Sequence, residues 1–304
     1  MNNWLYGVSI ALILTVIAFA IFFHLGRPTN MEIQEILGLT QSDPLPVDEK
    51  YVPIRKQDAI DPDINAEIAL VIEADTGRVL YEKNSQKLWP PASLNKLMTA
   101  LVVVNTLSLP QVVTIEEQDT AVVQPKMGLF EGEQITIYNL LRGLLIPSAN
   151  DAGATLARVV TGSESRFVEL MNQMAVRLGM RNTTYRNTTG FDVEGQLTTA
   201  EDLAILVREV LKNPNLAEIV STESTTVLSE NEGGSHRLVS SNQLLKQDNI
   251  HGVKTGYTDE AKGNLILLAS NSDNHRIITI VLGSDDREVT SQALVTWVFE
   301  SFEF

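Results

Sequence analysis

Residues 90–99 of the chain read Pro90-Pro91-Ala92-Ser93-Leu94-Asn95-Lys96-Leu97-Met98-Thr99. From Leu94 to Leu107 apolar residues fall on all sides of a helical projection, which is typical of a helix buried in a core. Pro91 suits the position ahead of a helix start, so Ser93 is expected in or beside the first turn. Lys96 follows three residues later, and a helix would bring the hydroxyl and ammonium groups onto one face.

This spacing has a chemical use. A lysine can serve as the base for a serine nucleophile if burial and a neighbouring cation keep its amine neutral, and the positive end of a helix favours the oxyanion that forms. Ser93 is the only serine of the chain with a lysine three residues on. The motif is weak by itself, because an exposed serine at a helix start with a surface lysine is the ordinary alternative.

Two more short motifs follow along the chain. Ser148-Ala149-Asn150 lies in a break between helices predicted at 137–146 and 151–160, although an interhelix turn with an Asn cap is its plain alternative. Lys254-Thr255-Gly256 leads towards a strand, where glycine lets a ligand approach the backbone, and a β-turn is its plain alternative. The order Ser-x-x-Lys, Ser-x-Asn, Lys-Thr-Gly is that of penicillin-binding proteins and class A β-lactamases.

The chain resembles one family in particular, the D-alanyl-D-alanine carboxypeptidases among the low-molecular-weight penicillin-binding proteins, the S11 serine peptidases. The likeness runs from about Ala66 to Phe304. Beyond the three motifs it includes Glu73-Ala74-Asp75-Thr76-Gly77-Arg78-Val79-Leu80-Tyr81, Glu131-Gly132-Glu133, Leu178-Gly179-Met180, Gly190-Phe191-Asp192 and Gly252-Val253-Lys254-Thr255-Gly256-Tyr257-Thr258.

The resemblance implies catalytic roles. Ser93 would be the nucleophile acylated by the penultimate D-Ala carbonyl of a peptidoglycan stem peptide, and Lys96 would take its proton. Ser148 would relay a proton to the leaving D-Ala, while Asn150 would hold Lys96 and the substrate amide. The backbone N–H groups of Ser93 and Tyr257 would form the oxyanion hole.

The resemblance also implies how the substrate is bound. Lys254 and Thr255 would meet the terminal carboxylate, and Arg287 is assigned to the same group. Gly256 and Tyr257 complete the predicted substrate-binding set.

Some positions depart from the family's usual pattern. Asn95 and Ala149 stand where Thr and Gly are common, which are mild changes. Lys262 replaces an expected Gly, so the local turn need not have the conformation usual in the family. A His common near Leu197 is absent, so no substrate contact is assigned to that loop.

The order of elements predicts an α/β fold. Strands are expected at 68–72, 78–82, 265–269 and 277–282, with helices between them and a last helix at 289–302. Strands at both ends favour one sheet built from the two ends of the domain and covered by an inserted helical lobe. The resemblance implies the serine β-lactamase/transpeptidase-like fold, with an antiparallel sheet.

The N-terminal region has a different composition. Trp4 to Phe23 is uncharged, long enough to cross a bilayer, and predicts a transmembrane anchor at 1–25 that is not cleaved as a signal peptide. Proline-rich residues 26–65 predict a stalk, and 66–304 the catalytic domain. Arg27 by itself would weakly favour a cytoplasmic domain, whereas the catalytic motifs predict a single-pass cell-membrane protein with an extracytoplasmic domain.

Composition excludes several classes. The chain has 304 residues, a net charge of -15 and no cysteine, which rules out disulfides and thiolate catalysis. The excess of acidic over basic residues argues against a nucleic-acid partner. Neither His-Glu-x-x-His, Gly-x-Ser-x-Gly nor a P-loop is present, so we expect no metal and no cofactor.

The leading hypothesis is a membrane-anchored, penicillin-sensitive D,D-carboxypeptidase, with stem peptides ending in D-Ala-D-Ala as substrate and β-lactams as inhibitors. A D,D-endopeptidase acting on crosslinked peptides is the alternative. A β-lactamase is disfavoured because no Glu-x-x-Leu-Asn loop is found, and a catalytically silent wall-binding protein would not need Lys96.

Overall fold

The computed structural model describes residues 52–304. Its strands are β1 (Ile54–Arg55), β2 (Ile68–Glu73), β3 (Val79–Lys83), β4 (Val112–Thr114), β5 (Gln134–Thr136), β6 (Ser224–Leu228), β7 (Ser235–Val239), β8 (Ile250–Thr258), β9 (Lys262–Ser270), β10 (Arg276–Ser284) and β11 (Phe302–Glu303). Its α-helices are α1 (Lys96–Val104), α2 (Glu117–Thr120), α3 (Ile137–Leu145), α4 (Asn150–Thr161), α5 (Glu164–Leu178), α6 (Ala200–Lys212), α7 (Pro214–Val220) and α8 (Arg287–Ser301).

The central feature is a five-stranded antiparallel sheet in the order β3-β2-β10-β9-β8. Strands β2 and β3 precede the helices in sequence, and β8, β9 and β10 follow most of them. Leu70 of β2 faces Ile280 of β10, so the two ends of the domain meet in the middle of the sheet. The predicted sheet built from both ends of the domain is confirmed.

Both faces of this sheet are covered. Successive side chains of a strand point to opposite faces. On β2, Ile68, Leu70 and Ile72 pack in a core shared with the helical lobe, whereas Ala69 and Val71 pack in a second core with α8. Every residue of β2 is buried, which explains why its sequence is a continuous apolar run rather than an alternating one.

Helix α1 lies inside the helical lobe and contacts α3, α4, α5 and α6. Its residues from Lys96 to Val103 are buried, in agreement with the all-round apolar pattern of the sequence. The helix predicted from Leu94 begins instead with a 3-10 turn at Ala92–Asn95, and α1 continues directly from it. The lysine of the Ser-x-x-Lys motif is thereby carried into the interior.

Part of the segment predicted as a stalk packs on the folded domain. Strand β1 pairs with β11, and Ile64 joins the core beneath α8. The indole N–H of Trp297 donates to the carbonyl of Ile60 at 2.6 Å. A two-residue strand and single anchoring contacts leave no periodic pattern, so the sequence did not reveal this packing.

The predicted anchor at 4–23 lies outside the described residues. Among the helices of residues 52–304, none combines the length and apolarity that crossing a membrane requires.

Candidate active site

Ser93 lies on the 3-10 turn between two glycines that approach its backbone. Ala92 has a φ of +48°, in the left-handed region that favours glycine. A Cβ atom on Gly190 would lie 1.9 Å from the carbonyl oxygen of Ala92, and one on Gly256 would lie 3.0 Å from the nitrogen of Ser93. The turn is therefore held between the loop of Gly190 and strand β8.

The residues leading into this turn are held by Asn264 of β9. Its side-chain amide donates to the carbonyls of Pro90 at 3.0 Å and Pro91 at 3.2 Å, and its oxygen accepts from the N–H of Gly283 at 3.0 Å. Asn264 is fully buried. The role of Asn264 was not predicted from the sequence. A lone amide in an apolar strand is nevertheless a usable signal, because buried polar groups are almost always hydrogen-bonded.

Lys96 occupies the centre of the site. Its Nζ atom lies 3.0 Å from Oγ of Ser93 and 3.2 Å from Oγ of Ser148, and the side chain is buried. Burial, and then the positive charge of Lys254, lower the pKa of Lys96 well below its ordinary value. A neutral amine in this position can accept a proton from either hydroxyl.

Ser148 and Asn150 lie at the start of α4. Ser148 has a φ of +66°, so its backbone is held in an uncommon conformation. The Asn150 amide donates to the carbonyl of Val123 at 3.0 Å, and its buried Oδ1 atom has no hydrogen-bond partner among the described residues. The hydrogen bonds of Lys96 Nζ to side chains go to Ser93 and Ser148, so the expected contact with Asn150 is not formed here.

Asp151, next to Asn150, is a further residue that the sequence analysis did not place in the site. Its buried carboxylate accepts hydrogen bonds from the backbone N–H groups of Met127, Gly128 and Leu129, at 2.9 to 3.1 Å. These bonds attach the loop before β5 to the first turn of α4. Through these hydrogen bonds Asp151 fixes the position of the neighbouring Ser148–Asn150 segment.

Lys254 projects from β8, the strand at one edge of the sheet. It is buried, and burial followed by the charge of Arg287 lowers its pKa to about 7. Its Nζ atom donates to the carbonyl of Thr255 at 3.1 Å, and the Thr255 hydroxyl lies 2.6 Å from that of Ser241. Lys254 also interacts electrostatically with Lys96 and disfavours the charged form of Lys96.

Arg287 is the first residue of α8 and reaches β8. Its Nη1 atom donates to the carbonyl of Gly256 at 2.7 Å, and its Nε atom donates to Glu288 at 2.9 Å. Tyr257 is 61% exposed, and its backbone is paired with Gly263 of β9. Two cationic side chains, Arg287 and Lys254, therefore converge on one stretch of β8, an arrangement that suits a carboxylate ligand.

The loop at 184–198 is held together by Gln196 and is tied to the Ser93 turn by Asn95. The side-chain oxygen of Gln196 accepts from the N–H groups of Arg186 at 2.9 Å and Asn187 at 3.1 Å. Asn95 donates to the carbonyl of Asn187 at 2.7 Å, which gives this departure from the family pattern a structural role. Leu197 pairs with Thr184 in an isolated bridge.

The other departure, Lys262, opens β9 with a φ of +56°. Glycine is favoured in this region, which explains why glycine is common at the position. The turn still closes with Lys262, because its backbone pairs with Thr258 across the end of the hairpin. Thr258 in turn donates to Asp192 at 2.7 Å and joins β8 to the 184–198 loop.

Comparison with known proteins agrees with this geometry. A family profile described as D-alanyl-D-alanine carboxypeptidase, Peptidase_S11, matches residues 55–286. The chain is 36% identical over 247 residues to the D-alanyl-D-alanine carboxypeptidase DacF of Bacillus subtilis, covering 78% of this chain and 63% of the relative. It is 34% identical over 257 residues to DacC of Escherichia coli, with 80% of this chain and 63% of the relative covered.

Solved structures share the fold. The D-alanyl-D-alanine carboxypeptidase from Mycobacterium tuberculosis superposes with a TM-score of 0.74 at 30% identity, covering 81% of this chain and 96% of that one. The Streptomyces K15 DD-transpeptidase superposes with a TM-score of 0.75 at 28% identity, covering 80% of this chain and 100% of that one. The predicted serine transpeptidase-like α/β fold is therefore confirmed.

The match spans about 63% of the length of these two curated relatives. The family profile nevertheless covers most of the chain, and its residues include the Ser-x-x-Lys, Ser-x-Asn and Lys-Thr-Gly motifs. The chain belongs to the D-alanyl-D-alanine carboxypeptidase family of serine peptidases, S11.

Proposed function

We propose that this chain is a serine D,D-carboxypeptidase that removes the terminal D-Ala from peptidoglycan stem peptides. The observation that carries the proposal is the place of Lys96, a buried amine of lowered pKa between the hydroxyls of Ser93 and Ser148. A solvated lysine is protonated near neutral pH and cannot act as a base, whereas a neutral one can.

The first half-reaction forms an acyl-enzyme. The Oγ atom of Ser93 attacks the carbonyl carbon of the penultimate D-Ala while Lys96 takes the hydroxyl proton. The resulting oxyanion is stabilised by the backbone N–H groups of Ser93 and Tyr257. As the C–N bond breaks, the proton passes from Lys96 through Ser148 to the leaving amine, and D-Ala departs.

In the second half-reaction, water attacks the Ser93 ester and the trimmed peptide leaves. Lys96 accepts a proton from the water and returns one to Oγ of Ser93, so the enzyme recovers its starting state. A β-lactam would acylate the same oxygen through its ring carbonyl, which supports penicillin sensitivity.

The terminal carboxylate of the substrate is assigned to Lys254, Thr255 and Arg287. Lys254 and Arg287 bring positive charge to β8, and the hydroxyl of Thr255 lies beside them. A carboxylate bound here raises the pKa of Lys254, because an opposite charge favours the ammonium form. This assignment predicts that the substrate needs a free carboxylate next to the cleaved amide bond.

The acyl-enzyme is tested with labelled penicillin. We expect a covalent adduct on the wild-type protein that peptide mapping assigns to Ser93 and that Ser93→Ala abolishes together with D-Ala release. Wild-type protein that stays unmodified would contradict the acyl-enzyme mechanism.

Substrate preference is tested by comparing monomeric pentapeptides with crosslinked dimers. We expect D-Ala release from the monomer to be the faster reaction. Faster cleavage of dimers would instead establish the D,D-endopeptidase alternative.

Membrane attachment through residues 4–23 belongs to the same proposal, with the catalytic domain on the outer side. Full-length protein should sediment with membranes and be accessible to protease added outside the cell, whereas a chain beginning at residue 26 should be released. Membrane association that survives this deletion would reject the anchor.

A further inference from the structure

A buried histidine on β7, His236, joins segments that are distant in sequence. Its Nε2 atom lies 2.6 Å from Oε1 of Glu133, and its Nδ1 atom lies 3.1 Å from the carbonyl oxygen of Met127. The imidazole is buried, and Glu133 is fully buried. Neither residue has a role in the reaction proposed above, although burying such a pair costs desolvation free energy.

Met127 belongs to the loop that supports the start of α4. Its backbone N–H donates to Oδ1 of Asp151 at 3.0 Å. Two residues earlier in the same loop, the carbonyl of Pro125 accepts from the N–H of Asn150 at 2.7 Å. The position of this loop therefore helps to set the position of the segment that carries Ser148 and Asn150.

His236 holds the same loop residue through its other backbone group. The carbonyl of Met127 faces the imidazole, while its N–H faces Asp151. The side chain of Met127 packs on Gly143 of α3, where a Cβ atom would overlap the sulfur. A chain of direct contacts thus runs from β7 through one residue of the loop to the first turn of α4.

The hydrogen bonds of His236 require a particular number of protons. Both ring nitrogens face acceptors, a carboxylate oxygen and a carbonyl oxygen, but a neutral imidazole carries only one N–H group. The two hydrogen bonds form together only when the pair of His236 and Glu133 carries one additional proton, on the ring or on the carboxyl group. Without it, the remaining N–H should stay with the carboxylate, because hydrogen bonds to charged acceptors are stronger. The contact with Met127 is then lost.

Glu133 is the charged group that meets the ring. Its carboxylate also accepts from the hydroxyl of Ser229 at 2.5 Å and from the N–H of Phe130 at 3.3 Å. The loop, the turn before β5, the start of α4 and the two-stranded sheet β6–β7 carry six other charged side chains, and within residues 52–304 none of them forms a hydrogen bond or an ion pair with His236: Lys126, Glu131, Asp151, Glu230, Glu232 and Arg237.

We propose that His236 is a positioning residue for the Ser148–Asn150 segment. Its ring holds Met127, and through Met127 the start of α4, while the pair with Glu133 carries the additional proton. His236 touches neither the substrate nor the reacting atoms. The inference rests on the proposed function, which assigns to Ser148 the relay of a proton to the leaving amine.

Two substitutions of His236 separate its two hydrogen bonds. His236→Asn places an amide nitrogen where Nδ1 lies and can still donate to Met127, whereas His236→Gln places one near Nε2 and can donate only to Glu133. We expect His236→Gln to be acylated by labelled penicillin about 3- to 10-fold more slowly than wild type, the range of one hydrogen bond. His236→Asn should stay within about twofold of wild type. In D-Ala release by His236→Gln, kcat should fall and KM should not change, because the groups assigned to the substrate carboxylate lie on β8 and α8.

A role in stability alone predicts the opposite order. His236→Asn leaves the buried carboxylate of Glu133 with one donor fewer, so it should be the less stable of the two variants in thermal unfolding. Acylation rates that follow stability, with His236→Asn the slower variant, would overturn the proposal. Arg237→Gln is the matched control, since Arg237 is exposed on the same strand, and it should leave the rate unchanged.

The proton requirement is measured as a ratio of acylation rates. The ratio of wild type to His236→Gln should fall towards unity as the pH rises, because wild type then loses the same hydrogen bond. Titration of Lys96 and Lys254 affects both proteins and cancels in the ratio. In Glu133→Gln the amide can donate to Nε2 of a neutral ring, whose N–H then serves Met127, so its ratio to His236→Gln should not fall. A wild-type ratio that is constant with pH would contradict the proton requirement.

Nuclear magnetic resonance of isotope-labelled histidine observes the ring without any turnover. In the full-length Ser93→Ala protein, the His236 signals are assigned by their absence when His236→Gln is added. Nδ1 should be protonated at mildly acidic pH and unprotonated at alkaline pH. An Nδ1 atom that is unprotonated at both would leave Met127 without its donor and overturn the inference.

This measurement separates the inference from the proposed function. A wild-type protein that penicillin does not acylate, but whose Nδ1 atom carries the expected proton in Ser93→Ala, keeps the contact with Met127 and loses the acyl-enzyme mechanism. A protein that is acylated at equal rates in wild type, His236→Asn and His236→Gln keeps the mechanism and loses the positioning role of His236.

Discussion

The Nζ atom of Lys96 lies 3.0 Å from the Oγ atom of Ser93, although only 1% of the lysine is accessible to solvent. A charged ammonium at such a depth would need a carboxylate, and the described residues provide it only with hydroxyls at hydrogen-bond distance. A second lysine, Lys254, interacts with it electrostatically and also disfavours the charge. This geometry supports the proposed roles of Ser93 as nucleophile and Lys96 as its base.

Replacing Lys96 should lower the activity of the protein without lowering its stability. Lys96→Met keeps an unbranched side chain but removes the amine, so penicillin acylation should slow by about 10²- to 10⁴-fold, the usual contribution of general base catalysis. Stability should be unchanged or higher, because a buried amine is replaced by an apolar group. Stopped-flow acylation and thermal unfolding measure the two effects.

Lys212→Met is the control for this variant, since Lys212 is exposed at the end of α6. It should leave the acylation rate unchanged. A Lys96→Met protein that acylates at the wild-type rate would show that another group activates Ser93.

The stability of the protein should increase as the pH rises above 7. The pKa of Lys254 falls from its ordinary 10.5 to about 7 in the fold. Between these values the unfolded chain binds the proton that the folded chain releases, so the free energy of unfolding rises with pH and this gain is complete above the unfolded pKa. Chemical denaturation should give a larger free energy of unfolding at pH 9 than at pH 6.

In Lys254→Met the same comparison should give a smaller increase, because one of the two lysines with a lowered pKa is gone. An identical increase in wild type and Lys254→Met would assign the effect to other groups.

Gly190 should tolerate no side chain. Its φ is +93°, and a Cβ atom would overlap the carbonyl oxygen of Ala92 at 1.9 Å. Gly190→Ala should therefore displace the Ser93 turn, lower the melting temperature and slow penicillin acylation by about tenfold or more. Acylation kinetics and calorimetry on the same sample measure both.

Gly162 provides the comparison, because its φ of +79° is similar but open space surrounds it. Gly162→Ala should cost about 1 kcal/mol of stability and leave acylation intact. Equal acylation by the two alanine variants would mean that the contact with Ala92 does not position Ser93.

Removing Arg287 should affect substrate binding and the titration of its neighbour. Arg287→Met removes a charge assigned to the substrate carboxylate, so KM for D-Ala release should rise about tenfold or more, the effect of a hydrogen bond to a charged group. It should also raise the pKa of Lys254, since the charge of Arg287 helps to lower it. Activity should fall at alkaline pH when Lys254 loses its proton, and in Arg287→Met this fall should begin at a higher pH.

Arg276→Met is suitable as its control, because Arg276 is exposed and paired with Asp75 at the opposite end of β10. It should change neither KM nor the pH profile. An Arg287→Met variant with the wild-type KM would show that Arg287 does not bind the substrate carboxylate.

The elements with strong local patterns could be predicted from the sequence. Strand β2 and helices α3, α4 and α8 lie within a few residues of their expected ranges. The two-stranded sheets β4–β5 and β6–β7 were not predicted, since strands of three to five residues with exposed positions carry little periodicity. Strand β1 was missed for the same reason and lies within the predicted stalk.

The residues that support the site were harder to predict than those proposed to act in it. Asn264 holds Pro90 across a sequence separation of 174 residues, and Asn95 reaches Asn187 across 92. Such partners are not encoded by any local spacing. Asp151 was not assigned to the site from the sequence, because its bonds to the loop of Met127 depend on how α4 packs.

The sequence by itself determined the family resemblance and the spacing that places Ser93 and Lys96 one helical turn apart, because both depend on order along the chain. Only the tertiary structure decided that the pKa of Lys96 is lowered and that Asn150 lines a groove. Desolvation and the charge of Lys254 both arise from segments that folding brings together, and so does the lining of the groove. A pKa and a cavity are properties of the surroundings of a residue, and those surroundings exist only after the chain has folded.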